Sequence, residues 1–163
     1  MLTSLFNRVR RNHALEHATI NVLTQHYPHA QVMGLSDFGG FTLHTSLRAE
    51  KVVPVIDQAL ARLQAGEYNL RIHPNCGTNL VVTAIMTSLA TVLGMGATTD
   101  PRKRLERFPQ AVLLNVIALL FARPVAAWVQ ANISTDADVS QMHIATVTTG
   151  KHRHGYRIRV YTV

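Results

Sequence analysis

The sequence predicts an α+β protein: a small α-β-β-α-β sandwich, then a two-helix transmembrane hairpin, then a C-terminal β-hairpin. Three observations predict it. Apolar residues recur at helical spacing in two segments of the first half and alternate with period two between and after them. Residues 72–99 contain no Asp, Glu, Lys or Arg, and a second apolar stretch follows a short basic run. The last twenty residues alternate again. Boundaries follow at 1–78 for the α/β head, 79–133 for the hairpin with its basic loop at 100–107, and 134–163 for a basic β tail packing on the head.

In the head, Leu15, Ala18, Val22 and Leu23 form an apolar stripe and predict a helix over 12–26, ended by Pro28. Residues 31–35 make a short strand, SDFGG a turn, and FTLHTSL a second, alternating strand. A second helix over 52–65 carries Ile56, Ala59, Leu60 and Leu63 on one face. Pro54 fits its first turn and Gly66 terminates it. Residues 69–72 supply a third short strand, which completes a two-layer unit.

The first span is 80–97, continuous and mostly apolar. Eighteen helical residues rise about 27 Å, close to the hydrocarbon thickness of a bilayer. A soluble amphipathic helix would show a polar face, and this segment has no charge anywhere on its circumference. Small residues Ala84, Ser88, Thr91 and Gly94 offer a close helix–helix face. DPRKRLER then supplies four basic residues in eight. The second span, 108–133, is interrupted at Arg123-Pro124 and carries Trp128 near its end, where an interfacial aromatic belongs. In the tail, MHIATVTT and YRIRVYTV alternate about a GKHRHG turn. Arg157 and Arg159 share one face, Ile158 and Val160 the other. Two spans return the chain to its starting side, so these strands can join the head's sheet.

Of the 163 residues, 47% are hydrophobic and 15% charged, against about 25% charged in soluble domains. The single cysteine, Cys76, excludes a disulfide-built fold. The net charge of +7 comes from scattered basic residues, and aromatics are only 6%, so nucleic acid is an unlikely partner. The bilayer is the expected partner, with Arg102, Lys103, Arg104 and Arg107 at its headgroups. Other membrane subunits or a homo-oligomer are further expected partners. An integral membrane location is expected. The basic loop argues for a cytoplasmic loop; the N-terminus without a signal peptide and the unpaired thiol argue for a cytoplasmic head, which is the expectation adopted.

The chemistry lies in the nine histidines. His13, Glu16 and His17 stand at i, i+3 and i+4, on one helical face. Two imidazoles one turn apart can share a zinc ion, leaving the carboxylate of Glu16 to hold a metal-bound water as general base. A second motif, His73-Pro-Asn-Cys76-Gly-Thr-Asn79, is a turn at the mouth of the first span. His73 and Cys76, three apart, have the spacing of half a zinc site and would complete four ligands with His13 and His17. A closed set is structural, whereas a set lacking His73 or Cys76 leaves a position for water. His44, on the second strand, is the next ligand candidate. His26, His29, His152 and His154 read as solvated. No Gly-rich phosphate loop, haem-attachment motif or serine elbow is present.

HALEH is the H-x-x-E-H signature, and with GGFTLHTSLRAEKVVPVIDQAL after it the segment resembles pitrilysin-type zinc peptidases. That resemblance implies His13 and His17 as zinc ligands and Glu16 as base. Those enzymes take a third ligand from a downstream glutamate, and Glu50, Glu67 and Glu106 do not match its position. RRNHALEHATINVL together with GFTLH and IHPNCGTNL resembles more closely a bacterial membrane-protein family, domain of unknown function 6391. This implies a membrane protein with an N-terminal α/β region and no particular activity. Two functions follow as expectations: a membrane-anchored zinc-dependent hydrolase, or a non-catalytic membrane subunit or scaffold of a larger complex.

Overall fold

The structure, a computed structural model, describes residues 2–152 and 155–163. It divides into two compact units, residues 1–73 with 130–163 and residues 74–129.

The first unit opens with α1 (Leu2–His26), followed by β1 (Val32–Asp37), β2 (Gly40–Thr45) and α2 (Ala49–Gln64). It resumes with a π turn at Gln130–Ser134, then β3 (Ile144–His152) and β4 (Gly155–Thr162). The four strands form one antiparallel sheet in the order β1-β2-β4-β3. In the pairing of β2 with β4, Phe41 lies opposite Val160 and Leu43 opposite Ile158.

The two helices cover one face of this sheet. Every residue of the two helical stripes is in the core: Leu15, Ala18, Val22 and Leu23 from α1, and Ile56, Ala59, Leu60 and Leu63 from α2. Phe41, Leu43, Ile158 and Val160 meet them from the sheet. Arg157 and Arg159 take the other face, as the alternation in β4 requires.

Four local expectations are corrected. Residues 69–72 do not form a strand: Tyr68–Arg71 is a 3-10 turn. The side chain of Asn21 donates to the carbonyls of Leu70 and Ile72, at 2.8 and 2.9 Å, and takes acceptors a ladder would use. The strand beside β2 is instead β4, from the tail. The α1 helix starts ten residues before the expected start at 12, and no proline or glycine interrupts residues 2–11. The α2 helix starts at Ala49, which places Pro54 past its first turn. Its end follows expectation, since Gly66 has φ +96°. The Gly66 N–H donates to Leu63 and the Glu67 N–H to Arg62, a Schellman closure. In the tail, β3 runs on to His152 and β4 resumes at Gly155, so the connection is shorter than GKHRHG. His154 lies outside the described residues, as does the side chain of His152.

On the uncovered sheet face, Arg159 grips Asp37 with two 2.8 Å hydrogen bonds. This pairing, with the Gly39 N–H also donating to Asp37, holds the Asp37 carboxyl below its usual range. A depressed folded-state pKa adds stability above the ordinary value of 3.8, and that stability is lost as pH falls through the folded value. Half the Asp37 side chain is exposed, so screening keeps the pair within about 1 kcal/mol. The stability of Asp37→Asn should therefore differ from wild type only slightly at neutral pH, and the difference should fade as pH falls below 3.8 through the lowered folded-state value.

The second unit is a helical hairpin, α3 (Gly77–Met95) and α4 (Pro101–Val129). Both helices are long and apolar enough to cross a membrane, α4 together with the π turn that continues it. Only 17% and 11% of their most apolar windows are covered, unlike a soluble core helix, and Leu80, Leu93 and Leu120 are each more than 70% exposed. The hairpin closes on small residues. Gly94 lies so near Ala111 that a Cβ would sit 2.5 Å from its Cα. Ala90 is buried on the same side of α3, and Ala118, Ala122 and Ala126 continue the seam on α4. Asn115 donates 2.9 Å hydrogen bonds to Thr91 and to the Ala111 carbonyl. Of the expected face, Gly94 and Thr91 are on the seam, while Ala84 and Ser88 point outward. The buried residues of α3 are Val82, Ala90 and Gly94, so the predicted face holds only at its C-terminal end. The α4 helix is continuous through Pro109 and Pro124, so Arg123-Pro124 does not break it.

Candidate metal centre

The α1 helix carries His13, His17 and Asn21 at i, i+4 and i+8, which stacks them on one stripe. His17 is 1% exposed and His13 half-buried. Their rings meet edge to face with centroids 4.2 Å apart. A ring nitrogen of each lies within 4.8 Å of the other, a spacing two ligands of one ion can close. His73 follows the 3-10 turn, and its ring centroid is 5.8 Å from that of His17.

The hydrogen bonds of these rings decide their protonation. The Nδ1 of His17 is 2.6 Å from the Arg71 carbonyl, and that of His13 is 3.0 Å from the Ser134 carbonyl. A carbonyl only accepts, so each Nδ1 carries the proton. The Nδ1 of His73 is 2.8 Å from Oδ1 of Asn21, whose amide nitrogen is already committed to two carbonyls. That commitment fixes Oδ1 as the acceptor end, and the Nδ1 of His73 is again the donor. In the neutral form, all three imidazoles present a lone pair at Nε2. An imidazole tied by Nδ1–H to a carbonyl is the usual outer arrangement of a metal-bound histidine.

Two residues that sequence reasoning did not single out complete this frame. Asn21 orients His73 and ties down the 3-10 turn. Gln130, 1% exposed, accepts from the His73 N–H at 2.9 Å, and its own carbonyl takes both the N–H and the hydroxyl of Thr135. Asn21 could have been found, since it continues the His13–His17 spacing by one turn. Gln130 bore no signal within an apolar run.

Glu16 is on the same helix but turned toward β1. It is 5% exposed, and its Oε2 accepts from the Ser36 hydroxyl at 2.5 Å. Its Oε1 lies over Gly34, where a Cβ would approach to 2.3 Å. Gly34 and Ser36 share one face of β1 and form a cradle for this carboxylate. His44 is corrected as a ligand candidate. It is exposed on the open face of the sheet, because Phe41, Leu43 and Thr45 alternate with it into the core. His26 and His29 are exposed, as expected. A cavity of about 350 Å³ on the other side of α1, bounded by Arg8, Asn12, Met142, Thr162 and Val163, has no histidine or cysteine in its lining.

Cys76 belongs to the second unit, as the N-cap of α3. Its Sγ accepts from the Thr78 N–H at 3.4 Å, and Asn79 donates to the Pro74 carbonyl within the same turn. A helix N-terminus favours the thiolate, the form that binds metal. Three peptide units join Cys76 to His73, so by chain length alone their Cα atoms lie within about 11 Å.

The family model for domain of unknown function 6391 matches residues 8–147, a stretch that includes HALEH, HPNCGTN and both apolar helices. The chain belongs to this family. An uncharacterized protein of Picosynechococcus sp. is 30% identical over 164 residues, covering 93% of this chain and 79% of the relative. No solved structure matches the chain. In this member of the DUF6391 family, the two motifs are thus the ends of one arrangement along the chain. HALEH supplies the histidine stripe, and IHPNC carries His73 against it before the first apolar helix begins.

Proposed function

We propose that this chain is a membrane-embedded metal-binding protein, in which His13, His17 and Cys76 hold a transition-metal ion and His73 stands as a fourth ligand. The observation that carries the reading is the shared state of the three imidazoles, each donating Nδ1–H to an oxygen and presenting Nε2. Imidazole and thiolate donors suit zinc, copper, cobalt or nickel and disfavour magnesium and calcium. Zinc is the metal proposed, because a mixed His/Cys tetrahedral set is its common structural environment. The two apolar helices support membrane insertion, and a bacterial plasma membrane is the location proposed. The head is proposed to lie on the cytoplasmic side, where a lone cysteine stays reduced.

The best-supported role is non-catalytic, a membrane subunit or scaffold. Oε2 of Glu16 accepts from Ser36 on β1 and Oε1 lies over Gly34, so the carboxylate is turned to the sheet. A hydrolytic reading rests on the HALEH spacing and requires Glu16 to leave that cradle and act as base.

Metal content after purification in detergent tests the reading. About one equivalent of zinc per chain is expected, as for a structural site. Less than about 0.2 equivalents of any transition metal after zinc loading ends it. Glu16→Gln should retain the metal. A peptidase activity in the wild type that is lost in Glu16→Gln with metal retained would move the assignment to the hydrolase.

A further inference from the structure

We infer that the first two turns of α1 are an interfacial anchor, which lays Leu5 and Phe6 into the headgroup boundary of an anionic lipid surface. The inference rests on the membrane insertion proposed above and goes beyond the metal site.

The α1 helix outruns the core that packs on it. Residues from Asn12 onward are largely buried, whereas Ser4 to Arg8 are all exposed. Leu5 is 42% and Phe6 57% exposed, so two large apolar side chains stand uncovered on α1. Charge accompanies them. No acidic residue occurs before Glu16, while Arg8, Arg10 and Arg11 do. The charge of Arg11 is answered by Asp136 and Asp138. Arg8 donates to the Thr162 carbonyl, and Arg10 to the carbonyls of Asn132 and Thr135, each at 3.1 Å. Among the described residues neither Arg8 nor Arg10 has an acidic partner, and the Arg10 guanidinium lies 5.8 Å from the ring of Phe6.

Chain continuity says what covers these groups. Asn132 and Thr135, which Arg10 grips, belong to the segment that leaves the apolar helix α4 without a break. Trp128, 60% exposed, precedes Asn132 by four residues, about 6 Å of helix. An exposed tryptophan at that point marks a bilayer boundary. The basic end of α1 is thus held at the level where the chain leaves the hydrocarbon. Exposed apolar residues beside arginines bonded to neutral carbonyls on one helix are what an anionic interface retains.

The test uses the full chain in vesicles of phosphatidylglycerol. Phe6→Trp in a Trp128→Phe background places one fluorophore on the segment. Lipids brominated just below the headgroup should quench it at least about twofold more than aqueous iodide does, and the preference should weaken in phosphatidylcholine. In the wild-type protein, amides of residues 4–9 should exchange more slowly in phosphatidylglycerol than in phosphatidylcholine. Iodide quenching in chains that resist carbonate extraction, with amide exchange indifferent to the lipid, overturns the anchor while leaving insertion intact. Protection from both quenchers in a chain that runs as a dimer overturns it in favour of a second copy. Extraction of the whole chain by carbonate overturns the insertion itself.

Discussion

Gly34→Ala is expected to destabilise the head by about 3 kcal/mol or more, the combined scale of overpacking and an unseated buried carboxylate. The added Cβ would sit 2.3 Å from Oε1 of Glu16 and 2.6 Å from both Cδ and Cγ. Movement of the carboxylate tip alone does not relieve a clash with Cγ. Glu16 is 5% exposed, and its other oxygen is held by Ser36, so leaving the cradle breaks that hydrogen bond and strands a charge in the interior. Chemical unfolding in mild detergent measures the loss. A double-mutant cycle isolates its cause: in a Glu16→Ala background the same substitution should cost under about 1 kcal/mol, because the space is then empty. Equal costs in both backgrounds would show that Glu16 does not lie over β1, and the argument for a non-catalytic role would go with it.

The second large effect concerns the metal. His17→Gln should weaken zinc binding by more than about 100-fold, since outer-shell losses alone reach 10–100-fold. Glutamine can still donate to the Arg71 carbonyl, so the 3-10 turn keeps its partner and the fold should survive. Cys76→Ser should have an effect of similar size. Asn21→Ala, which frees the Nδ1 of His73, should cost about tenfold, the scale of an orienting group. Competition with a chromophoric chelator reads all three, and circular dichroism reports the fold separately. Wild-type affinity in both His17→Gln and Cys76→Ser would remove the proposed site. Loss in His17→Gln with full affinity in Cys76→Ser would move the ligand set to the three histidines.

Much of this protein was legible because it is local. The stripes of α1 and α2 reached the core residue for residue, since the period of a helix is set by its backbone. The same holds for Ile158 and Val160 against Arg157 and Arg159 in β4. The absence of charge over 72–99 marked the first apolar helix, and HALEH put His13 and His17 one turn apart without further information. The third strand failed for the opposite reason. A four-residue alternation, Asn-Leu-Arg-Ile over 69–72, does not distinguish a strand from a 3-10 turn, and the side chain of Asn21, some fifty residues upstream, made the choice. His44 failed because alternation gives two faces and does not say which one the helices cover.

By itself the sequence determined the two helical stripes, the apolar hairpin, the alternating tail and the identity of every candidate ligand. Only the tertiary structure decided that β4 pairs with β2, that Glu16 turns to Gly34 and Ser36, and that the imidazoles of His13, His17 and His73 all donate through Nδ1. Side-chain periodicity is written residue by residue along the chain. The carbonyls of Arg71 and Ser134 that fix two of those imidazoles are backbone groups. Every residue has one, so no residue type can announce it.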